Sequence, residues 1–283
     1  MAASLATLGR WGDDGIDRWD GRRLVRTMRV GRRAVPYLAR PAGTIDAPAM
    51  EVTAEASDLD AVAEVVRASF VGASLALAEL CARDPVVARA ECAYRGVRPV
   101  IQHDPLTALV RAISAQQVNL TWATETRRRL GLRFGTRLTV ADEWAIALDA
   151  ERLAAASVDE LRALQLTTAK SRSVIGVARA AAEGSLDLAE LAALGDEALI
   201  ERLVALPGIG PWSADWFLAR TLGRPRVVAG DLGVRKAVGR AYMGGRMPSE
   251  SEVRALTAHW GEAAGVAQQL FLHDLISSAE ARP

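Results

Sequence analysis

The first quarter of the chain alternates hydrophobic and polar positions, and the remainder repeats its hydrophobic positions at helical spacing. Alternating runs at Leu24–Val30 and Ala34–Arg40 predict a β-hairpin, and Met50–Ala54 predicts a third strand. Pro36 and the segment 41–43 are typical of sheet edges and loops. The pattern therefore predicts a small antiparallel sheet at the start of the chain.

Helical spacing begins after Ser57, whose hydroxyl suits an N-cap. Strands followed by helices are typical of an α+β fold. We therefore predict a sheet-plus-helix domain over residues 1–96 and a helical domain over residues 97–283. The clearest predicted helices are Leu106–Leu130, Val158–Leu164, Ala169–Glu183, Leu186–Leu194, Asp196–Ala205, Pro211–Leu222 and Ser249–Gly261.

Composition removes several classes of protein. The 283 residues are 50% hydrophobic and 24% charged, which is enough apolar material for a sizeable core. No stretch approaches the roughly 20 apolar residues of a membrane helix, and the start does not resemble a secretory signal. Two cysteines and three scattered histidines do not supply a disulfide framework, a four-cysteine iron–sulfur site or a zinc site. We expect a cytoplasmic protein without a membrane segment.

Positive charge is concentrated in two segments although the net charge is only +1. Thr107–Arg137 has six Arg against one Glu, and Val204–Arg246 has six Arg and one Lys against two Asp, so each carries +5. Two such segments on an acidic remainder suggest one anion-binding face. An Ala-rich chain with few lysines equally fits the base composition of a genome, and both interpretations stay open.

The segment 206–210, Leu-Pro-Gly-Ile-Gly, lies between two predicted helices within a predicted hairpin over 204–214. Its two glycines permit a tight reversal and the close approach of another backbone. Pro211 suits the first turn of the next helix. Exposed amides at such a helix start form an anion site that suits a DNA phosphate. An ordinary helix–turn–helix corner is the alternative.

Context favours the DNA interpretation. The run Leu-Pro-Gly-Ile-Gly-Pro-Trp-Ser-Ala at 206–214, with Val-Ala-Gly-Asp-Leu-Gly-Val-Arg-Lys-Ala at 228–237, resembles the helix-hairpin-helix (HhH-GPD) DNA glycosylase superfamily. Segments 104–119 and 161–184 look like that family's core helices. The strand-rich start looks like the extra domain of the DNA-3-methyladenine glycosylase II branch. The resemblance covers roughly residues 18–275.

The resemblance implies that Asp231 is the essential aspartate. A 12-residue helix spans about 18 Å, and the eight residues 223–230 span at most about 26 Å, so the loop can return Asp231 to the hairpin. A carboxylate there would stabilise positive charge on the sugar as the N-glycosidic bond breaks. Asp231 also suits an N-cap, and the two roles are compatible.

The resemblance places Trp212 where strand-cutting relatives carry a lysine nucleophile. An indole cannot form a Schiff base, so a monofunctional enzyme is implied. Trp212 and Trp216 share a helix face and match base-pocket positions, although both also suit core packing. The sequence departs from the branch at two places, and both put its substrate preference in question. Leu272 stands where the branch has a tryptophan, and residues 261–265 differ from the usual motif of the branch.

The family pattern also implies DNA contacts and a cation site. The family has a turn whose side chain plugs the duplex by filling the gap that a flipped base leaves. Gln116 and Gln117 lie at the matching turn, and Gln117 is the better match, although both also suit a polar helix end. Backbone carbonyls of Val204, Leu206 and Ile209 match the family's Na⁺ or K⁺ site, and no other cofactor and no iron–sulfur cluster is expected. The predicted DNA-binding residues are Pro207, Gly208, Ile209, Gly210, Ser213, Gln116 and Gln117.

These observations predict a monofunctional DNA glycosylase of base excision repair. It would flip alkylated bases of the 3-methyladenine type out of double-stranded DNA and hydrolyse their N-glycosidic bond. We expect a monomer that works on nucleoid DNA in a bacterial cytoplasm. A non-catalytic helix-hairpin-helix DNA-binding protein, and a monofunctional glycosylase for oxidised or deaminated bases, are the alternatives.

Overall fold

The computed structural model describes residues 1–71 and 75–280, with an antiparallel sheet ahead of a mostly helical body. This confirms the predicted α+β class. The strands are β1 Arg18–Trp19, β2 Leu24–Val30, β3 Arg33–Gly43, β4 Pro48–Thr53, β5 Gly135–Val140 and β6 Glu143–Leu148. The helices are α1 Ala2–Gly9, α2 Leu59–Ala68, α3 Leu75–Arg83, α4 Pro85–Ala93, α5 Pro105–Ala115, α6 Leu120–Phe134, α7 Ala150–Ala155, α8 Val158–Ala163, α9 Thr168–Ala182, α10 Leu188–Ala193, α11 Asp196–Val204, α12 Pro211–Arg220, α13 Leu232–Tyr242, α14 Glu250–Thr257 and α15 Ala264–Glu280. None of the helices in the described ranges combines the length and hydropathy that a bilayer crossing requires.

Strands β1 to β4 pair in chain order, and β3 is longer than the sequence predicted because it tolerates two prolines. Pro36 pairs with Thr27 of β2, whereas the pairing with β4 begins only at Leu38. Pro41 pairs with Met50 of β4, beyond the end of the β2 pairing. Each proline therefore has a neighbouring strand on one side only, which is where a missing N–H costs least.

The expectation of continuous helix after residue 57 is wrong at two places. Strands β5 and β6 form a hairpin in which Ala145, Ile146 and Leu148 are buried. The Ile146 amide donates to the Gly15 carbonyl at 2.7 Å, so this hairpin is fixed by a distant loop that local periodicity does not reveal. The predicted helix 106–130 is two helices, α5 and α6, because Gln117 adopts a left-handed backbone conformation with φ 54°.

Two smaller differences concern helix ends. The predicted helix 249–261 ends at Thr257 and continues as a 3₁₀ segment, in which Gly261 has φ 49°. Helix α1 was not predicted, and it contributes the buried Leu5 beneath the sheet. A single glycine interrupts the first helix and packing against the sheet stabilises the second, so each outweighs the local helix propensity.

Helix α12 lies where two helical cores meet. Ala214, Phe217 and Leu218 belong to a core shared with α5, α9 and β6. Ala219 belongs to a second core that α3 and α4 build with α13 and α15, and Trp212 packs against that core. A third core joins the sheet to α1 and α2. The division of the chain at 96/97 stays a prediction.

A buried ion network joins the sheet to the helical body. The Arg26 guanidinium of β2 donates to Asp17 at 2.5 Å, and Arg111 of α5 pairs with the same carboxylate. Arg127 of α6 pairs with Asp14 at 2.8 Å. Burial alone would raise the pKa of Asp17, but the two guanidinium groups hold it below its usual value. Removing one partner would leave an uncompensated buried charge, so the network holds the sheet and the helical body together.

Candidate active site

The hairpin between α11 and α12 packs tightly against α9. Gly208 has φ 74°, and a Cβ on it would lie 1.9 Å from the Ser173 hydroxyl oxygen, so only glycine fits. A Cβ on Gly176 would lie 3.0 Å from Pro207 Cγ, so a second glycine lets Pro207 approach. A Cβ on Gly210 would meet no atom of the described residues within 4 Å. Gly208 is thus required by the fold, whereas Gly210 leaves open space beside the helix start.

Polar contacts tie the hairpin to the Gln-containing turn. The Gln116 side-chain amide donates to the Gly208 carbonyl at 3.0 Å and contacts the Ser213 hydroxyl at 3.4 Å. Lys170 of α9 donates to the Ser114 carbonyl at 3.0 Å, and burial lowers its pKa. Gln117 is exposed, so its side chain, unlike that of Gln116, remains available for the predicted plug role.

Asp231 reaches the start of α12, as the loop-length argument predicted. It is the N-cap of α13, where its Oδ1 accepts from the Val234 amide at 3.0 Å. Its Oδ2 accepts from Trp212 Nε1 at 3.0 Å and from Trp216 Nε1 at 3.3 Å. Both tryptophans therefore meet the aspartate. Their predicted role in holding a base stays a prediction.

The loop 223–230 that carries Asp231 is anchored by residues that sequence reasoning did not single out. Arg226 donates to the buried Asp215 of α12 at 2.6 Å and pairs with Asp196 at 3.3 Å. The Val228 amide donates to Gln268 of α15 at 2.7 Å. Only the fold brings these distant segments together. The one sequence signal is Asp215 itself, a charged residue between two tryptophans on an apolar helix face.

Leu272 and Arg220 complete the surroundings of the aspartate. A Cβ on Gly233 would lie 3.0 Å from Asp231 Oδ1 and 3.4 Å from Leu272 Cδ2, so Leu272 of α15 is close to the carboxylate. Arg220 stacks on Trp216, with 5.2 Å from guanidinium carbon to ring centroid. Burial lowers the pKa of Arg220 to about 10, while the charge of Asp231 acts in the opposite direction.

Most arginines of the two basic segments form ion pairs within the protein, so less positive charge is free than the sequence count suggests. Some of their carboxylate partners, such as Asp14 and Asp274, come from other parts of the chain, so a count within one segment overestimates the free charge. Lys236 is exposed and has no ion pair among the described residues. The paired arginines are Arg111, Arg127, Arg128, Arg129, Arg133, Arg224, Arg226, Arg240 and Arg246.

The site thus combines open space at a helix start with a carboxylate held beside two indoles. The amides that open α12 have no partner within the helix and can receive an anion. The predicted cation site is less defined. The Leu206 carbonyl accepts from the Ile209 amide at 3.2 Å, and Val204 ends α11 on an exposed surface. Binding of Na⁺ or K⁺ there stays a prediction.

A helix-hairpin-helix with an aspartate returned to the hairpin defines a class of DNA base-excision proteins. The chain belongs to that class, because the model of the HhH-GPD superfamily base excision DNA repair proteins matches residues 110–263. A DNA-3-methyladenine glycosylase of Bacillus subtilis is 26% identical over 190 residues, which cover 65% of this chain and 61% of that protein. The chain thus spans less than two thirds of that relative.

Solved structures show the same fold. A 3-methyladenine DNA-glycosylase from Archaeoglobus fulgidus superposes with a TM-score of 0.84 at 24% identity, covering 98% of this chain and 94% of that one. An 8-oxoguanine glycosylase/lyase from Clostridium acetobutylicum, in complex with double-stranded DNA, gives 0.73 at 17% identity, covering 97% and 92%. The family model confirms the predicted HhH-GPD superfamily, and both the first structure and the bacterial relative are named as 3-methyladenine glycosylases.

Proposed function

We propose that this protein is a monofunctional DNA glycosylase that releases alkylated bases of the 3-methyladenine type from double-stranded DNA. One observation carries the proposal, which is the Asp231 carboxylate held 3.0 Å from the Trp212 indole nitrogen at the start of α12. A fixed negative charge there lies against two aromatic rings, next to the hairpin that we propose binds a DNA phosphate. Family membership and the named relatives support the substrate class.

In this proposal the duplex is gripped at the hairpin and the damaged nucleotide is flipped out, because its scissile bond is inaccessible in the stack. The C1′–N bond breaks and its electron pair leaves with the base. Asp231 stabilises the positive charge that develops on the sugar. Water then adds its oxygen to C1′ and loses a proton, which leaves an abasic site. Gln117 fills the gap in the duplex.

The absence of strand cleavage is part of the proposal and rests on Trp212. Strand cutting through an imine needs an amine nucleophile in the pocket. The indole at 212 donates to Asp231 instead, and Lys170 is engaged with the Ser114 carbonyl. Since an indole is not an amine and the Lys170 ammonium is already hydrogen-bonded, we expect no imine at either position.

Base release from lesion-containing duplexes tests the proposal. The panel should contain 3-methyladenine, 7-methylguanine, hypoxanthine and 8-oxoguanine in one sequence context. We expect release of alkylated bases, with strand breaks only after alkali. Release of 8-oxoguanine alone would favour a glycosylase for oxidised bases. Tight duplex binding without release of any base would favour a non-catalytic DNA-binding protein.

A further inference from the structure

Arg220 lies beside the candidate active site, where the charge of Asp231 acts on it but no carboxylate of the described residues forms an ion pair with it. Its guanidinium donates to the Gln269 side-chain oxygen and stacks on Trp216. Within the described part of the chain no ion pair includes Arg220, whereas its neighbours Arg224 and Arg226 both pair with Asp196. Its side chain is desolvated, but with a pKa of about 10 it stays charged at neutral pH.

One indole connects this positive charge to the aspartate. The ring edge of Trp216 donates to Asp231 Oδ2 at 3.3 Å, and Arg220 lies over a face of the same ring. A ring face that already holds a cation has less attraction to offer a second one. Leu272, which lies near Asp231, is aliphatic and adds no π face. Arg220 therefore reduces the attraction that Trp216 and the Asp231 carboxylate offer to a cationic base.

The formal charge of the damaged base decides what a fixed cation does. A base alkylated on a ring nitrogen is cationic in the nucleotide and leaves neutral with the bond electrons. An uncharged base, such as hypoxanthine, accumulates negative charge as it leaves. A nearby guanidinium opposes binding of the first and stabilises departure of the second.

We propose that Arg220 is a specificity-determining residue that reduces the preference of the site for cationic over uncharged damaged bases. The inference rests on the proposed glycosylase function. Two unit charges about 10 Å apart at an effective dielectric constant of about 20 change an equilibrium roughly tenfold. Removing the Arg220 charge should therefore change the discrimination between cationic and uncharged bases by about one order of magnitude.

The experiment compares Arg220→Met with Arg220→Lys, which retains the charge. Arg246→Met is the matched control, since it removes an exposed arginine paired with Glu252. Single-turnover release of 7-methylguanine and hypoxanthine is measured for each variant. The ratio of the two rates is independent of the folded fraction. We expect the ratio to rise about tenfold in Arg220→Met in favour of 7-methylguanine, and to stay within threefold of wild type in the other two.

A binding measurement separates this inference from the proposed function. Duplexes carry 2′-fluoro-7-methylguanosine, whose base is cationic, or 2′-fluoroinosine, whose base is neutral, and the 2′-fluorine prevents cleavage of the N-glycosidic bond. Arg220→Met should gain about tenfold in affinity for the cationic duplex relative to the neutral one. If the wild type releases no base but Arg220→Met still shows this gain in affinity, only the glycosylase function is refuted. Unchanged rate and affinity ratios in Arg220→Met would overturn the role of Arg220.

Discussion

Replacing Asp231 by asparagine tests the catalytic proposal most directly. The carboxylate uses both oxygens, one as the helix cap and one as acceptor for two indole N–H groups. An asparagine caps a helix well, so its carbonyl can retain the bond to the Val234 amide. Its NH₂ group then faces two N–H donors and leaves both without an acceptor. We expect α13 to stay folded and the Trp212 and Trp216 side chains to become less ordered.

Coulomb's law and typical hydrogen-bond energies give magnitudes for both effects. A carboxylate about 3.5 Å from a unit positive charge, at an effective dielectric constant of about 20, stabilises it by about 5 kcal/mol. Losing that amount slows base release by roughly 10³ to 10⁴-fold. The indoles are partly exposed and can rehydrate, so the free energy of unfolding should fall by only about 1–3 kcal/mol.

Trp212→Phe provides the control for Asp231→Asn. It removes the 3.0 Å hydrogen bond but keeps the aspartate charge and an aromatic ring. We expect single-turnover release of an alkylated base to slow by no more than about tenfold, the value of one hydrogen bond. Thermal unfolding of both variants confirms that they are folded. If Asp231→Asn releases base as fast as Trp212→Phe, the charge of Asp231 is not what accelerates the reaction.

The hairpin and its surroundings give three further predictions. Gly208→Ala should lower the melting temperature because its Cβ overlaps Ser173. Gly210→Val should leave the melting temperature unchanged, because its Cβ meets no atom in the part of the chain that the structure describes, and should weaken binding to damaged and undamaged duplexes alike. Damaged duplex should stay unbroken until alkali or heat is applied, and borohydride should trap no protein–DNA adduct; a trapped adduct would identify another amine as nucleophile. Lys236→Ala should reduce the slope of log affinity against log salt by about one, and an unchanged slope would exclude a phosphate contact by Lys236.

The sequence by itself determined the class of fold and the central motif. Local alternation located β2 within Leu24–Val30, and the glycine-proline run at 206–211 located the hairpin and the start of α12. These features depend on residues close in the chain, which is why periodicity and turn chemistry reveal them. The link from hairpin to Asp231 needed only chain length and the family pattern, and the two meet as expected.

Only the tertiary structure decided which charges remain free and what surrounds the aspartate. The sequence counted +5 in each basic segment, but Asp14 and Asp196 come from elsewhere in the chain and neutralise several of those arginines. Strands β5 and β6 depend on a bond to Gly15, which local propensity does not encode. Arg220 can meet Trp216 within one helix, but only the tertiary structure placed its guanidinium on Gln269 of α15 rather than in an ion pair with any carboxylate that the structure describes. Ion pairing and stacking depend on distance in space, and residues far apart in sequence acquire that distance only on folding.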